Sequence, residues 1–328
     1  MKEKVLITGA SGFVGYHLII EALHNNLEVF AAVRNNSKID HLKDLAIEYV
    51  YPDYTDITSL KKDLLEKQYD YIIHAAGITR ARSAAEYDRV NAEYTANLAQ
   101  AGLELGSQLK KFVLISSLAA VGPLKALDGI ITADTPPDPI TAYGSSKLLA
   151  EKKLKAIGDL NYTILRPTAV YGPRDTGIFI FFKQVSRHLE AYIGRGEQKL
   201  SFIYVKDLAK ASIRALHSGN KQTFNLSDGN FYDKYQLGHL SKNILKVKTF
   251  KFHLLVNFVK LIALVSEKVS SLRNTAPILN LEKLDELTAV NWSCSIEPVK
   301  QDLGFYPQYS LEDGLYETLE WYRTNNWI

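Results

Sequence analysis

The chain has 328 residues, 46% of them hydrophobic and 23% charged, and a net charge of +3. That length fits one large α/β domain or two domains sharing a core, and the composition is that of an ordinary soluble protein. The small net charge excludes a general attraction to nucleic acid, and the single cysteine, Cys294, excludes an intramolecular disulfide and a Cys-based metal site. No metal ligand set is expected. A reducing, cytoplasmic setting is the simplest fit, and the early entry into an apolar strand leaves no expectation of a signal peptide.

Val5-Leu6-Ile7-Thr8 reads as a buried strand, followed by Gly9-Ala10-Ser11-Gly12-Phe13-Val14-Gly15 and a helical stretch from Tyr16 to Leu23. Strand, glycine turn and helix is the context in which such a motif binds a dinucleotide. Gly9 permits a tight turn. Gly12 lets the backbone approach a pyrophosphate at the helix N-terminus, and Gly15 lets helix and strand pack closely. The first gap is one residue longer than in the common fingerprint. A second strand, Glu28 to Val33, ends at Arg34. An acidic residue there would bind the ribose of NAD, whereas Arg34 suits the 2′-phosphate of NADP. NADP(H) is therefore the preferred cofactor and NAD(H) the alternative, with Ser11, Asn35, Ser37 and Lys38 as further donors. A solvated loop charge is the plainer reading of Arg34. Asp53 and Tyr54 close a third strand, Ile47 to Tyr51, where they would meet the adenine, unless the run 53–56 simply caps the next helix.

Tyr71 to Gly77 reads as a fourth strand ending in small residues, and Ala75, Ala76 and Gly77 would let a cofactor lie across it. His74, at a buried strand end, is expected to be structural. A helix from about 86 to 105 carries Asn91, whose amide would meet the cofactor or a neighbouring loop. A fifth strand, Lys111 to Ile115, ends in Ser116-Ser117. Pro123 to Pro139, with four prolines, reads as a loop. Then comes Tyr143-Gly144-Ser145-Ser146-Lys147. A phenol and an ammonium four residues apart share one helix face. The positive charge would favour the phenolate and bring its proton into use. Of 19 tyrosines only Tyr143 has a lysine four positions on. Chance supplies about one such pair in a Lys-rich chain, so the motif needs its partners. A sixth strand, Tyr162 to Leu165, is closed by Arg166-Pro167.

Taken in order, Thr8 to Gly15, His74-Ala75-Ala76-Gly77, Ser116-Ser117, Tyr143-x-x-x-Lys147 and Leu165 to Gly172 resemble the extended short-chain dehydrogenase/reductase family, also called the NAD-dependent epimerase/dehydratase family. The resemblance implies a Rossmann-type, doubly wound parallel sheet with a smaller C-terminal substrate domain. Its dinucleotide-binding part would span 1–172, completed by about 201–228; the substrate part would span 173–200 and 229–328. By the family pattern Tyr143 is the acid/base, Lys147 holds the nicotinamide ribose and lowers the phenol pKa, and Ser117 rather than Ser116 is the catalytic hydroxyl. Phe13, Val14 and Pro167 join the cofactor contacts. Family members often dimerise through the helices here placed at 86–105 and 143–157, so a homodimer is expected.

Departures narrow the activity. Sugar-nucleotide enzymes of this family place an Arg before the return strand, where this chain has Lys199-Leu200-Ser201. The dehydratases follow the catalytic hydroxyl with two acids, where this chain has Leu118 and Ala119. The stretches from Pro298 to Phe305 and from Trp321 to Arg323 resemble the ketone-reducing branch, with its dihydroflavonol reductases and 3β-hydroxysteroid dehydrogenases. The expectation is a ketoreductase acting on an apolar, lipid-like 3-keto small molecule. A sugar-nucleotide epimerase or dehydratase is the alternative, and a non-catalytic NADP-binding regulator a more distant one. Finally, Phe252 to Val265 is apolar but too short and interrupted to cross a membrane. It reads as a helix: a buried one, an apolar lid, or one that contacts a membrane surface.

Overall fold

A computed structural model describes residues 2–273, 275–277 and 279–328. In chain order the strands are β1 (Lys4–Thr8), β2 (Glu28–Ala32), β3 (Ile47–Val50), β4 (Tyr71–His74), β5 (Lys111–Ile115), β6 (Tyr162–Pro167), β7 (Ala169–Tyr171), β8 (Leu189–Ile193), β9 (Phe202–Tyr204), β10 (Gln222–Leu226) and β11 (Phe250–Leu254). The helices are α1 (Phe13–His24), α2 (Ile57–Lys67), α3 (Ala84–Tyr87), α4 (Tyr94–Leu103), α5 (Ala142–Lys155), α6 (Phe179–Ser186), α7 (Val205–Ala215), α8 (Gln236–Leu245), α9 (Val256–Leu272), α10 (Leu281–Thr288), α11 (Glu297–Asp302) and α12 (Leu311–Thr324).

Seven strands form one parallel sheet in the order β10-β6-β5-β4-β1-β2-β3. The middles of its central strands, such as Val5–Ile7, Ile72–Ile73 and Phe112–Ile115, are unbroken apolar runs because helices cover both faces. On one face, residues of α1, α7 and α11 pack in a cluster that includes Leu18, Leu208 and Val299. On the other, α2, α4 and α5 contribute Leu64, Leu98 and Leu154. The strand order reverses between β1 and β4. In such sheets ligands lie in the crevice beyond the strand ends at that reversal. The glycine turn, Ala75–Gly77 and Ser116–Ser117 all follow the C-terminal ends of these central strands.

Two short parallel pairs lie outside the sheet: β7 with β9, and β8 with β11. The predicted return strand is thus β9, and β10 is the strand that extends the main sheet beyond β6. A third cluster joins Phe182, Tyr204, Leu240 and Leu315 from the C-terminal half. Phe13 and Val14 of α1 pack against it, so the glycine turn touches both halves of the chain.

Two predicted elements differ. The 86–105 helix is α3, a π-helical stretch over Asp88–Glu93, and α4 in unbroken sequence. The 252–265 stretch is not one helix. Phe250–Leu254 is drawn into a strand by pairing with β8, and α9 begins only at Val256 and runs to Leu272. Nor is α9 buried: only Val259 and Ala263 along it are sequestered from solvent.

What holds α5 on the sheet is a buried polar knot. The Glu151 carboxylate accepts from Ser116 Oγ at 2.6 Å, from Arg166 Nε at 2.9 Å and from Arg166 Nη2 at 2.5 Å. All three residues are buried. Removing one partner of such a pair strands the other's charge in a dry site. Arg166→Met should therefore cost about 3–5 kcal/mol, while Glu151→Leu with Arg166→Met should recover most of the loss. Urea unfolding of the single and double variants checks this.

Candidate active site

The glycine turn is shaped by contacts only glycine permits. Gly9 has φ +68°, and a Cβ on it would lie 2.7 Å from the Ala75 carbonyl oxygen. A Cβ on Gly15 would lie 2.1 Å from the Gly9 carbonyl oxygen, so the first turn of α1 rides directly on the turn before it. Gly12 caps α1 without a side chain. The first N–H groups of the helix are therefore left for a ligand, which is what an anionic pyrophosphate needs.

A directed chain of hydrogen bonds sets the opposite wall. Ala76 N donates to Thr8 Oγ1 at 3.0 Å, and Thr95 Oγ1 donates to the Asn91 carbonyl at 2.7 Å. His74 sits between the two hydroxyls, with Nδ1 2.8 Å from Thr8 and Nε2 3.0 Å from Thr95. Its Nδ1 therefore accepts and its Nε2 donates. Burial, and then the Lys147 charge, lower its pKa to about 3, so the ring is neutral at working pH. His74 is the structural residue expected. Asn91, in the π-helical turn, accepts from Ile78 N at 2.8 Å and donates to Ile78 O and Ser146 Oγ at 3.0 and 2.9 Å. Both of its N–H groups are engaged. Its amide meets the loop, one of the two expectations, and braces Ile78 next to Gly77.

Tyr143 lies in the first turn of α5, which Thr141 caps by accepting from Gly144 N at 3.0 Å. A Cβ on Gly144 would lie 2.3 Å from the Ala119 carbonyl oxygen. Glycine there brings α5 against the short 3-10 turn Leu118–Ala120, and Ser117 is the residue that caps that turn. That brings the Ser117 hydroxyl close enough to the Tyr143 phenol to pull its pKa down. Ser116 points the other way, to Glu151. Lys147 is buried, and its Nζ donates to the Ile115 carbonyl at 2.7 Å. A Cβ on Gly77 would lie 3.9 Å from that Nζ and 3.0 Å from Asn91 Oδ1. The hydroxyl thus stands by the phenol, and the amine stands by the small-residue loop.

Their electrostatics differ from the expected coupling. Burial raises the Tyr143 pKa to about 12, offset in part by Ser117, while Glu286 and Tyr87 push it further up. Burial lowers the Lys147 ammonium to about 8, with Glu151 opposing. The phenol is a protonated donor in this state, with burial outweighing every group that would ionise it.

Several neighbours gave no sign in the sequence. The Tyr87 ring meets Tyr143 edge-on at 6.2 Å. Glu282 of α10 accepts from Ala142 N at 2.9 Å, which sets α10 over the first turn of α5. Cys294, remote in the chain, packs with Leu118, Val121 and Ile131, and Leu118 is the residue after Ser117. Burial pushes its thiol up to about 12, so it is inert as an acid/base. Nothing in local spacing links positions that lie 56 to 176 residues apart.

At the far end of the crevice Arg34 is exposed and its N–H donates to Ser37 Oγ at 3.1 Å. Ser11 is half-buried. Asp53 folds back on Thr55, accepting from its N and Oγ1 at 2.9 and 2.7 Å, which leaves Oδ2 outward. Asp56, not Asp53, caps α2. Tyr54 stacks on Tyr94 at 5.9 Å. Pro167 ends β6, in register with Leu226.

Residues 5–227 match the model of the NAD dependent epimerase/dehydratase family. The chain belongs to that family. It is an extended short-chain dehydrogenase/reductase, an enzyme with a Rossmann fold and a nicotinamide cofactor. It is 27% identical to ceramide reductase of Caulobacter vibrioides over 326 residues, covering 99% of this chain and 96% of the relative. It is 29% identical to a putative UDP-glucose 4-epimerase of Methanocaldococcus jannaschii over 232 residues, 66% of this chain and 74% of that one. UDP-glucose 4-epimerase of Thermotoga maritima, solved with UDP-glucose, superposes with a TM-score of 0.80 at 22% identity, covering 98% and 99% of the two chains. The uncapped α1 and the wall of Ala75–Gly77 beside Lys147 fit the dinucleotide. The glycine turn would hold its pyrophosphate and Lys147 its nicotinamide ribose.

Lys147 can hold a ribose hydroxyl as a charged donor only while protonated. Its lowered pKa sets the sign: cofactor affinity should fall as pH rises through about 8. In Lys147→Arg, whose guanidinium keeps its charge, that limb should vanish. Fluorescence titration of the bound nicotinamide across pH checks both.

Proposed function

We propose that this enzyme is an NADPH-dependent ketoreductase for an apolar, lipid-like carbonyl compound. The carrying observation is the pairing of a protonated Tyr143 phenol with the Ser117 hydroxyl, at a point where the chain continues into buried Leu118 and its apolar neighbours. One proton donor and one oxygen-orienting hydroxyl suffice to reduce a carbonyl. The dehydratase reaction needs further acids, and the residues after Ser117 supply none.

In the proposed reaction Ser117 hydrogen-bonds the substrate oxygen. The cofactor, when bound, supplies hydride to the carbonyl carbon. Tyr143 gives its Oη proton to the oxygen as negative charge develops there. Lys147, one helical turn on, carries the positive charge that stabilises the phenolate left behind. Lys199 lies with Nζ 4.5 Å over the Phe231 ring, a point charge on an aromatic face rather than a fork for a diphosphate. The likeness to ceramide reductase across nearly the whole chain supports a lipid-like substrate. The substrate part would be 173–200 and 229–328. The reading extends to NADP(H) held by Arg34, to a cytoplasmic homodimer, and to peripheral membrane contact near 252–265.

The second reading is a sugar-nucleotide epimerase or dehydratase, favoured by a structural neighbour that holds UDP-glucose. It requires tightly retained NAD and no net consumption of cofactor.

Tyr143→Phe should keep NADPH affinity and lose about a hundredfold to ten-thousandfold in turnover, read from NADPH oxidation with long-chain ketones. Undiminished turnover in that variant, or carbonyl conversion without loss of NADPH, would count against the reductase. Arg34→Asp should move the preference from NADPH towards NADH by about tenfold to a hundredfold, the worth of a charge-assisted phosphate contact. Paired titrations with the two cofactors check it.

A further inference from the structure

α9 docks on the protein by a thin line, with Val259 and Ala263 as its buried residues. The opposite side carries a second apolar stripe. Phe258, Leu261, Ile262, Val265, Val269 and Leu272 recur at helical spacing and all are exposed, Leu261 by 59%, Val265 by 54% and Leu272 by 89%. A soluble surface rarely leaves so many large apolar side chains in one row without a partner.

The charge around the stripe indicates which partner. From Gln236, where α8 begins, to Arg273 there are seven Lys or Arg and one acidic residue, a net of +6 in a chain of +3. The remainder of the molecule is therefore net −3. Lys246, Lys248, Lys251, Lys260, Lys268 and Arg273 are exposed, and none is in an ion pair among the described residues. A second copy of the chain is a poor match, because a two-fold interface would set this basic patch against itself. An apolar stripe on a helix that carries Lys260 and Lys268 and ends at Arg273, in a basic segment, matches lipid chains beneath anionic headgroups. At 17 residues α9 is about 25 Å long, and no described helix is long and apolar enough to cross a membrane, so it would lie in the interface plane.

We propose that α9 is a docking helix for an anionic phospholipid bilayer. It is joined to the site by two hydrogen bonds. Leu281 N, at the start of α10, donates to Glu267 Oε1 of α9 at 2.8 Å, and Glu282 of α10 accepts from Ala142 N beside Tyr143. A lipid-like molecule leaving the bilayer at α9 would meet α10 and then the phenol. That delivery rests on the reductase reading; the docking itself does not.

The test is flotation of the full-length protein, loaded with its nicotinamide cofactor, on vesicles of phosphatidylcholine alone or mixed with phosphatidylglycerol. Binding should be at least about tenfold stronger on the mixed vesicles, weaken with salt, and be lost in Leu261→Asp with Val265→Asp. Cofactor affinity in that variant should be unchanged. Lys260→Glu with Lys268→Glu should weaken binding about tenfold or more and serves if the aspartate pair fails to fold. No flotation with mixed vesicles, or equal flotation of the charge-reversed variant, overturns the proposal. So does sedimentation equilibrium in which the aspartate pair dissociates a dimer, since the stripe would then cover a second copy. Flotation reads no turnover, so its failure leaves the carbonyl chemistry to be judged by NADPH oxidation alone.

Discussion

Glu151 is buried where α5 crosses the ends of β5 and β6, and it is held by Ser116 on one side and both arms of the Arg166 guanidinium on the other. An ion pair this dry contributes little net stability, because desolvation offsets most of the attraction. What it contributes is position. A hydrophobic seam would let α5 slide along the sheet by a fraction of a turn. A bidentate pair with a third hydrogen bond has one good geometry. That geometry puts the first turn of α5 over Ser117, and Gly144 removes the side chain that would hold the two apart.

The same economy governs the neutral side of the crevice. The chain Ala76–Thr8–His74–Thr95–Asn91 satisfies each buried donor with one acceptor and uses no charge. A charged histidine there would repel the Lys147 ammonium, and the pressure runs the other way: burial and Lys147 both keep His74 neutral. Lys147 is then the cation nearest the small-residue wall. Its own lowered pKa is the cost of that placement. Burial thus keeps the phenol protonated and weakens the amine's hold on its proton, each favouring the neutral form.

The sheet and the cofactor turn were legible because their signals are local: apolar runs bounded by glycine, and a motif read within seven residues. Ser117, Tyr143 and Lys147 were legible as candidates for the same reason, and the order of motifs joined them. Three things were not. The Tyr143 pKa depends on burial and on the charges of Glu286 in α10 and of Tyr87, which no spacing encodes. The roles of Asn91 and Cys294 depend on which side chains meet them across 55 and more than 150 residues. The split of 252–265 into β11 and α9 depends on a strand partner, β8, that competes with helix propensity and wins over five residues. An apolar run reads alike whether it faces a core or solvent, so the exposure of α9 could not be foreseen from its composition.

Substrate choice in this fold comes down to which groups the C-terminal half presents to a common reaction centre. A sugar nucleotide asks for a fork of donors on its diphosphate and for polar walls. Here the cation at that position rests on Phe231, and Leu118, the residue after Ser117, packs with Val121, Ile131 and Cys294. The acids that do approach Tyr143 come from α10, and one of them, Glu282, is engaged by the N-terminus of α5. A carboxylate held on that N–H stabilises the helix end and leaves one less group free to exchange protons with substrate. Glu267 and Glu282 tie α10 to its neighbours, and an apolar surface is left outward on α9. That division suits a substrate recognised by the area it buries rather than by hydrogen bonds.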